Sequence, residues 1–231
     1  MSIFDIFRKR KEIPKPWSKY YTDEEMYIKI PNISLYKQIK NTASKYPNNF
    51  AYRYLGKNVT YNKFIEQIDK AALSFKEMNV KKGYVVTFCM PNIPEVLIGF
   101  YGLNKIGAIA NMVHPLSAEE EIKEALITTK SKYLVIVDIF YDKVKESVKG
   151  TNVKNVIFVS PSNSMKLPLK IGYKLINIGK YKKFPRNDFY MSWSKFINKS
   201  RFSKIEIKEN MVKILLLLSY TVVVQVVNQR M

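Results

Sequence analysis

The stretch VVTFCMPNIPEVLIGFYGLNKIGAIANMV, residues 85–113, decides the fold because it contains a strand, a helix and a second strand in direct succession. Val85 to Met90 is a continuous apolar run of strand length, and Ala108 to Val113 is a second one. Between them, Pro94 to Ile106 is apolar almost all round, as expected of a buried helix. Such a unit predicts two parallel strands joined by a helix that covers one face of a sheet.

The limits of two helices follow from capping residues. Asn92 with Glu95, and Ser117 with Glu120, each place an acidic residue three positions after a polar one, a pattern typical of a helix N-terminus. Gly107 suits the end of the first helix because glycine adopts the left-handed conformation found there.

The alternation of strands and helices continues toward the carboxyl terminus. The helix that starts near Ser117 runs toward Thr129, and the segments Tyr133–Val137 and Val156–Val159 indicate two further buried strands, with a helix around 140–148 between them. Alternating apolar strands and amphipathic helices predict an α/β fold with a mostly parallel sheet and helices on both faces.

Upstream segments indicate a smaller set of elements. Residues 1–31 form an irregular leader, and Ser34 caps a short helix that ends at Pro47. Residues 51–59 indicate a hairpin that turns at Gly56, and Thr60 caps a helix with apolar residues at every third or fourth position.

Beyond Ser160 the pattern loosens. The segment 166–184 is basic and aromatic, with breaks at Pro168 and Pro185, and Trp193–Asn198 indicates a short helix. The apolar run 214–227 is shorter than the roughly 20 residues that span a bilayer, and a buried strand is favoured over a tail anchor.

Composition limits the classes of function. The 231 residues carry 39 Lys and Arg against 19 Asp and Glu, a net charge of +20, and 47% of them are hydrophobic, which excludes a disordered chain. One Cys and one His exclude a disulfide framework and argue against a zinc site. The lysines are spread along the chain and accompany abundant Ile, Asn and Tyr, so A/T-rich codons explain the charge better than a nucleic-acid partner does.

The location is predicted to be cytoplasmic, with peripheral membrane contact as an open alternative. The first twelve residues place their basic cluster after a short apolar stretch, the reverse of a secretory signal. The same twelve residues have the composition of a short amphipathic arm that touches a membrane.

Few side chains are candidates for chemistry. His114 lies where a strand ends, so any Ser-His-Asp or Cys-His mechanism would have to use it, although a lone histidine in such a place is more often a loop residue. Cys89 is expected to be an inert core residue. Glu119 to Glu121 open a helix and suit its positive end, so they are not expected to bind metal. The segment 166–183 is expected to be a solvated surface, with lipid or nucleic acid as the alternative contact.

The stretch 59–137 contains a series of short motifs, in this order: Thr60-Tyr61, Val80-Lys-Lys-Gly83, Met90-Pro-Asn-Ile-Pro-Glu95, Lys105-Ile-Gly-Ala108 and Asn111-Met-Val-His-Pro-Leu-Ser117. In their order and spacing these motifs resemble the amino-terminal region of the adenylate-forming superfamily, the AMP-dependent synthetases and acyl-CoA ligases. Lys15-Pro-Trp17 and the basic segment ahead of Ser192-Trp193 look most like the long-chain fatty-acyl-CoA branch. The family usually has an acidic residue after the glycine at 83, where this chain has Tyr84.

The resemblance implies ATP, Mg²⁺ and coenzyme A as cofactors of an intact relative, and a fatty carboxylate as its substrate. Such relatives form an acyl-adenylate, release pyrophosphate and transfer the acyl group to coenzyme A. They bind the phosphates in a Ser/Thr/Gly-rich loop, which is expected here near Tyr220 to Met231 and is missing from that segment. The fold implied is an incomplete amino-terminal part of the ligase.

The codons of residues 220–231 suggest why the loop is missing. Shifted to begin at the third base of each codon, they are compatible with Tyr-Ser-Gly-Gly-Thr-Ser-Gly-Lys-Pro-Lys, the superfamily's phosphate-binding signature. The expected organisation is therefore a leader at 1–31, a partial α/β domain at 32–219 and a frame-shifted tail at 220–231.

Three hypotheses follow. The first is a truncated acyl-CoA ligase that is inactive alone, with no catalytic, cofactor-binding or metal residue beyond the weak candidate His114, and with non-specific self-association through uncovered surfaces. The second is a non-catalytic α/β module that binds a membrane or partner through a basic surface. The third, nucleic-acid binding, would require a steep dependence on salt and is not favoured, because no recognised nucleic-acid motif is present.

Overall fold

The computed structural model describes residues 15–27, 31–179, 185 and 187–207. It contains seven strands: β1 (Phe50–Tyr54), β2 (Lys57–Thr60), β3 (Val85–Cys89), β4 (Ile109–Val113), β5 (Tyr133–Val137), β6 (Asn155–Val159) and β7 (Tyr190–Ser192). The α-helices are α1 (Asp23–Met26), α2 (Leu35–Lys45), α3 (Tyr61–Glu77), α4 (Pro94–Ile106), α5 (Glu119–Thr128), α6 (Tyr141–Ser147), α7 (Leu167–Ile176) and α8 (Trp193–Asn198). Short 3₁₀ turns occupy Pro16–Tyr20, Asp138–Phe140, Pro161–Ser164 and Lys199–Phe202.

The contacts divide the chain into two units, Met1–Asn32 and Ile33–Met231. In the first unit, the predicted irregular leader is wrong for residues 16–26, which form a 3₁₀ turn and α1. A capping box explains α1: the Thr22 N–H donates to Glu25 Oε2 at 2.8 Å, and the Glu25 N–H donates to Thr22 Oγ1 at 3.3 Å.

The second unit is built on a five-stranded parallel sheet with the order β4-β3-β5-β6-β7, and β1 and β2 form a separate antiparallel hairpin. Side chains of the sheet alternate between two cores. Val86, Phe88 and Val135 pack on one face against α3, α4 and α8, whereas Cys89 and Leu134 pack on the other against α5 and α6. The predicted parallel sheet with helices on both faces is confirmed.

Polar contacts join the helices of the first core. The Tyr36 N–H at the start of α2 donates to Asn104 Oδ1 of α4 at 2.9 Å. Asp69 of α3 accepts from the Tyr36 hydroxyl at 2.9 Å and forms an ion pair with the mostly buried Lys105 ammonium at 2.8 Å. Asn104 and Lys105 precede the Ile-Gly-Ala motif, so this part of the family-like sequence has a structural role here.

Four predicted features beyond the sheet can be compared with the structure. The helices at Ser34 and Thr60 are confirmed, and each hydroxyl accepts from the backbone N–H three residues later. The Asn92 cap is wrong, because Ile93 is the residue before α4 and Glu95 bonds elsewhere. The Ser117–Glu120 cap is one residue off, since the Ala118 N–H donates to Glu121 Oε2 at 3.0 Å. The run 214–227 lies outside the described residues.

Candidate functional site at the carboxyl edge of the sheet

All five strands of the sheet run in one direction, so their carboxyl ends share one edge. Met90, His114, Asp138 and Ser160 directly follow β3, β4, β5 and β6 at this edge. The chain leaves β3 toward α4 on one face and leaves β5 toward α6 on the other. Ligands of open α/β sheets bind at such a reversal, so the edge between β3 and β5 is the candidate site.

Asp138 lies at this reversal. Partial burial raises the pKa of its carboxyl group to about 6, against the effect of hydrogen bonds from the Ser160 hydroxyl and backbone N–H groups. Its Oδ1 atom has no hydrogen-bond partner among the described residues. A carboxyl group that titrates near neutral pH at a sheet edge can exchange a proton with a bound group.

Glu95 is a second buried carboxylate near the same edge, in the first turn of α4. It is only 2% exposed, and its Oε1 accepts from the Ser164 hydroxyl at 2.7 Å. Burial raises its pKa, whereas the Ser164 bond and the charge of Lys57 act in the opposite direction. Its Oε2 has no partner in the described part of the chain. The contact explains why the turn after β6 is fixed against α4.

A cleft of about 180 Å³ opens between the hairpin and the start of α4. Its walls are Tyr52, Arg53, Tyr54, Asn92, Ile93, Pro94, Val96 and Leu97. Burial, followed by the nearby charge of Glu95, raises the pKa of the Tyr52 hydroxyl to about 12, so that group stays protonated. Substrate pockets usually enclose about 300–1,000 Å³, so this cleft accommodates only part of a ligand.

His114 is exposed, and the described hydrogen bond of its imidazole is with a backbone group. Its Nδ1 accepts from the Leu116 N–H at 3.2 Å, and its carbonyl oxygen accepts from the Ser117 N–H at 3.1 Å. These bonds shape the turn after β4. The histidine therefore has the environment of a loop residue, and none of the described bonds links its imidazole to a carboxylate or a nucleophile.

The other candidates occupy structural positions. Cys89 is fully buried, burial raises the pKa of its thiol to about 11, and the thiol donates weakly to the His114 carbonyl. A thiol with so high a pKa carries little thiolate at neutral pH. Glu119 to Glu121 form the first turn of α5, as expected. Within the residues that the structure describes, no three His, Cys, Asp or Glu side chains form a metal-binding group.

The described residues do not fit the phosphates of ATP. The eight glycines are at 56, 83, 99, 102, 107, 150, 172 and 179, and none of them lies in the residues directly after a parallel strand. The turn after β6 has serines instead, and Ser162 and Ser164 are buried in a 3₁₀ turn. The predicted loop position, 220–231, lies outside the described residues.

The parallel sheet with helices on both faces places the chain in the α/β class. More than half of the chain, residues 39–173, matches the family described as AMP-binding enzyme, so the chain belongs to that family. A long-chain-fatty-acid–CoA ligase of Bacillus subtilis is 25% identical over 162 residues, 70% of this chain and 29% of the relative. A probable 4-coumarate–CoA ligase of Dictyostelium discoideum is 33% identical over 96 residues, 41% of this chain and 17% of the relative.

A solved structure shares the fold. The coronafacic acid ligase of Pectobacterium brasiliense superposes with a TM-score of 0.60 and 17% identity, over 76% of this chain and 32% of the ligase. The chain therefore spans about a third or less of the relatives it matches. Because these relatives are ligases, the comparisons do not favour a non-catalytic binding module.

Proposed function

We propose that this chain forms the amino-terminal α/β part of a cytoplasmic, ATP-dependent ligase that joins a fatty carboxylate to coenzyme A. One observation carries the choice of substrate: the similarity to a long-chain-fatty-acid–CoA ligase extends over a larger part of the chain than the similarity to the 4-coumarate–CoA ligase. ATP, Mg²⁺ and coenzyme A are the cofactors of the proposed enzyme.

The described domain supplies a scaffold and the carboxyl edge of the sheet rather than a complete active site. Asp138 and Glu95 provide carboxyl groups with raised pKa values, and the cleft beside α4 accepts part of a ligand. The phosphates need a glycine-rich loop, which the described residues lack. We therefore expect the 231-residue chain to be inactive by itself.

Carboxylate-dependent exchange of labelled pyrophosphate into ATP tests this expectation. The purified chain should show no exchange above that of an unrelated basic protein with palmitate, 4-coumarate or acetate. Exchange that depends on any of these acids would show that the chain is catalytic as it stands.

We also propose that the reading frame changes before residue 220. The tail contains Val222, Val223 and Val224, whose β-branched side chains resist the turns with positive φ that phosphate-binding loops use. In the shifted frame the same codons are compatible with glycine and serine at these places. The change is expected between about residues 208 and 217, after the last segments that resemble the family.

The gene sequence and a frame-corrected protein test both proposals. The corrected protein should form acyl-CoA from ATP, coenzyme A and a long-chain fatty acid, and should prefer that acid to 4-coumarate. A stop within a few codons of the alternative frame would exclude the frame change. A corrected enzyme that prefers 4-coumarate would retain the frame change and reject the fatty substrate.

A further inference from the structure

Helix α7 has no buried residue, although five of its ten residues are leucine or isoleucine. Ile176 is 81% exposed and Leu167 is 70% exposed. We call the exposed aliphatic side chains of α7 and of the residue shortly after it the α7 surface: Leu167, Leu169, Ile171, Leu175, Ile176 and Ile178. Soluble monomers seldom expose so many large aliphatic side chains together.

The orientation of α7 is the reverse of that of an ordinary surface helix. Lys170, Gly172 and Tyr173 are its half-buried positions, whereas the aliphatic residues face outward. A surface helix of a globular protein normally turns its apolar stripe inward and its charges to water. The α7 surface therefore needs an apolar partner.

The charge of the chain segment that contains α7 indicates the nature of that partner. Residues 147–187 contain no Asp or Glu, although the chain has 19 of them. The same residues contain nine basic side chains: Lys149, Lys154, Lys166, Lys170, Lys174, Lys180, Lys182, Lys183 and Arg186. Lys166 and Lys174 are exposed in or next to α7, so a partner that offers negative charge beside an apolar layer fits this surface.

We propose that α7 binds in the plane of an anionic lipid membrane. Acyl chains cover the aliphatic side chains, and the lipid phosphates attract the lysines. A second copy of the chain would bring two basic segments together, and a nucleic acid would leave the aliphatic side chains in water. A ten-residue helix is about 15 Å long, too short to cross the bilayer. In the described residues, no helix is long and apolar enough to do so.

Sedimentation with vesicles tests the proposal on the full chain. The protein should bind vesicles of phosphatidylcholine and phosphatidylglycerol in equal parts, and should bind phosphatidylcholine alone at least about tenfold more weakly. Binding should weaken as salt rises from about 0.1 M to about 1 M, because salt screens the attraction between lysines and phosphates.

Matched variants test whether the α7 surface is the part of the chain that binds vesicles. Leu175→Gln with Ile176→Gln, and separately Lys174→Glu, should each reduce vesicle binding at least about tenfold. The controls, Leu116→Gln with Ile127→Gln and Lys82→Glu, make the same changes at exposed positions outside α7 and should bind as the parent does. All these side chains are exposed, so the thermal unfolding midpoint should stay within about 2 °C of the parent's.

Three results would overturn the proposal. The first is equal binding to both kinds of vesicle, and the second is unchanged binding by the α7 variants. The third is a chain that binds neither kind of vesicle and forms a dimer in solution, which Leu175→Gln with Ile176→Gln dissociates. That result would assign the α7 surface to a second copy of the chain.

Discussion

At the scale of single residues, Gly99 and Gly172 are two helical glycines in opposite environments. A Cβ atom at Gly99 would lie 2.6 Å from the ring of Phe88, which is buried in the sheet, whereas a Cβ at Gly172 would meet nothing within 4 Å. Gly99→Ala forces the Phe88 ring to move and costs about 1–3 kcal/mol, which the helix preference for alanine offsets by about 1 kcal/mol. We expect a net loss of about 0–2 kcal/mol of unfolding free energy.

The matched variant Gly172→Ala should instead gain about 0.5–1 kcal/mol, because alanine is preferred in a helix and has room at this position. Urea unfolding of both variants measures the difference. Equal effects of the two substitutions would show that close packing at Gly99 does not decide the outcome.

The raised pKa of the Asp138 carboxyl group predicts how the stability of the fold depends on pH. Burial raises the pKa of its carboxyl group from 3.8 to about 6, so the folded protein holds the proton more tightly than the unfolded chain does. The unfolding free energy should therefore fall as pH rises from about 4 to about 6, and this contribution should be constant above that range.

Asp138→Asn removes the charge at every pH and should abolish that part of the fall. At pH near 7 the variant should be more stable than the parent by about 1–2 kcal/mol, less than a fully buried group would give, because water reaches part of the side chain. Unfolding midpoints from pH 4 to pH 8 measure this, with the exposed Glu77→Gln as control. A fall that persists unchanged in Asp138→Asn would refute the assignment.

At the scale of elements, Asn104 fixes α4 to the start of α2. It is 7% exposed, and its Oδ1 accepts from the Tyr36 N–H at 2.9 Å. Asn104→Ala removes this acceptor from a buried N–H and should lower the unfolding free energy by about 1–3 kcal/mol. The control Asn41→Ala lies on the exposed face of α2 and should be neutral or slightly stabilising. Equal losses from both variants would argue against the interhelical bond.

Long apolar runs predicted the central elements well, but short or partly polar elements escaped prediction. β3, β5 and β6 are buried on both faces, so their sequence is nearly continuous in apolar residues. β7 has only three residues and follows no such pattern. α7 was missed because Pro168 was interpreted as a break, whereas it lies in the first turn, where proline needs no partner for its missing N–H.

At the scale of the whole molecule, the site was harder to predict than the sheet. His114 was selected as a candidate because it lies where a strand ends, but the bond that its imidazole accepts stabilises the turn after β4. Asp138 was overlooked, although its place directly after a buried strand was the available signal. Glu95 was interpreted as a capping residue, and its contact with Ser164 joins residues 69 positions apart, which local patterns cannot reveal.

The two edges of the sheet differ in their tendency to pair with another chain. Among the described residues, β4 and β7 have a neighbouring strand on one side only. β4 contains Ile, Ala, Asn, Met and Val, without charge or proline, so its outer N–H and C=O groups form a template for a further strand. β7 is only three residues long and offers a much smaller edge. We therefore expect the isolated chain to self-associate through β4 as its concentration rises.

Ile109→Lys places a charge on that edge at a half-buried position outside the two described cores. The substitution should weaken self-association at least about tenfold, equivalent to about 1.4 kcal/mol, because pairing would bury the charge. Sedimentation velocity over a range of concentrations measures the change, and Ile127→Lys adds the same charge on the exposed face of α5 as a control. If Ile109→Lys leaves association unchanged while Leu175→Gln with Ile176→Gln abolishes it, the contact belongs to α7 and the β4 edge is protected in solution.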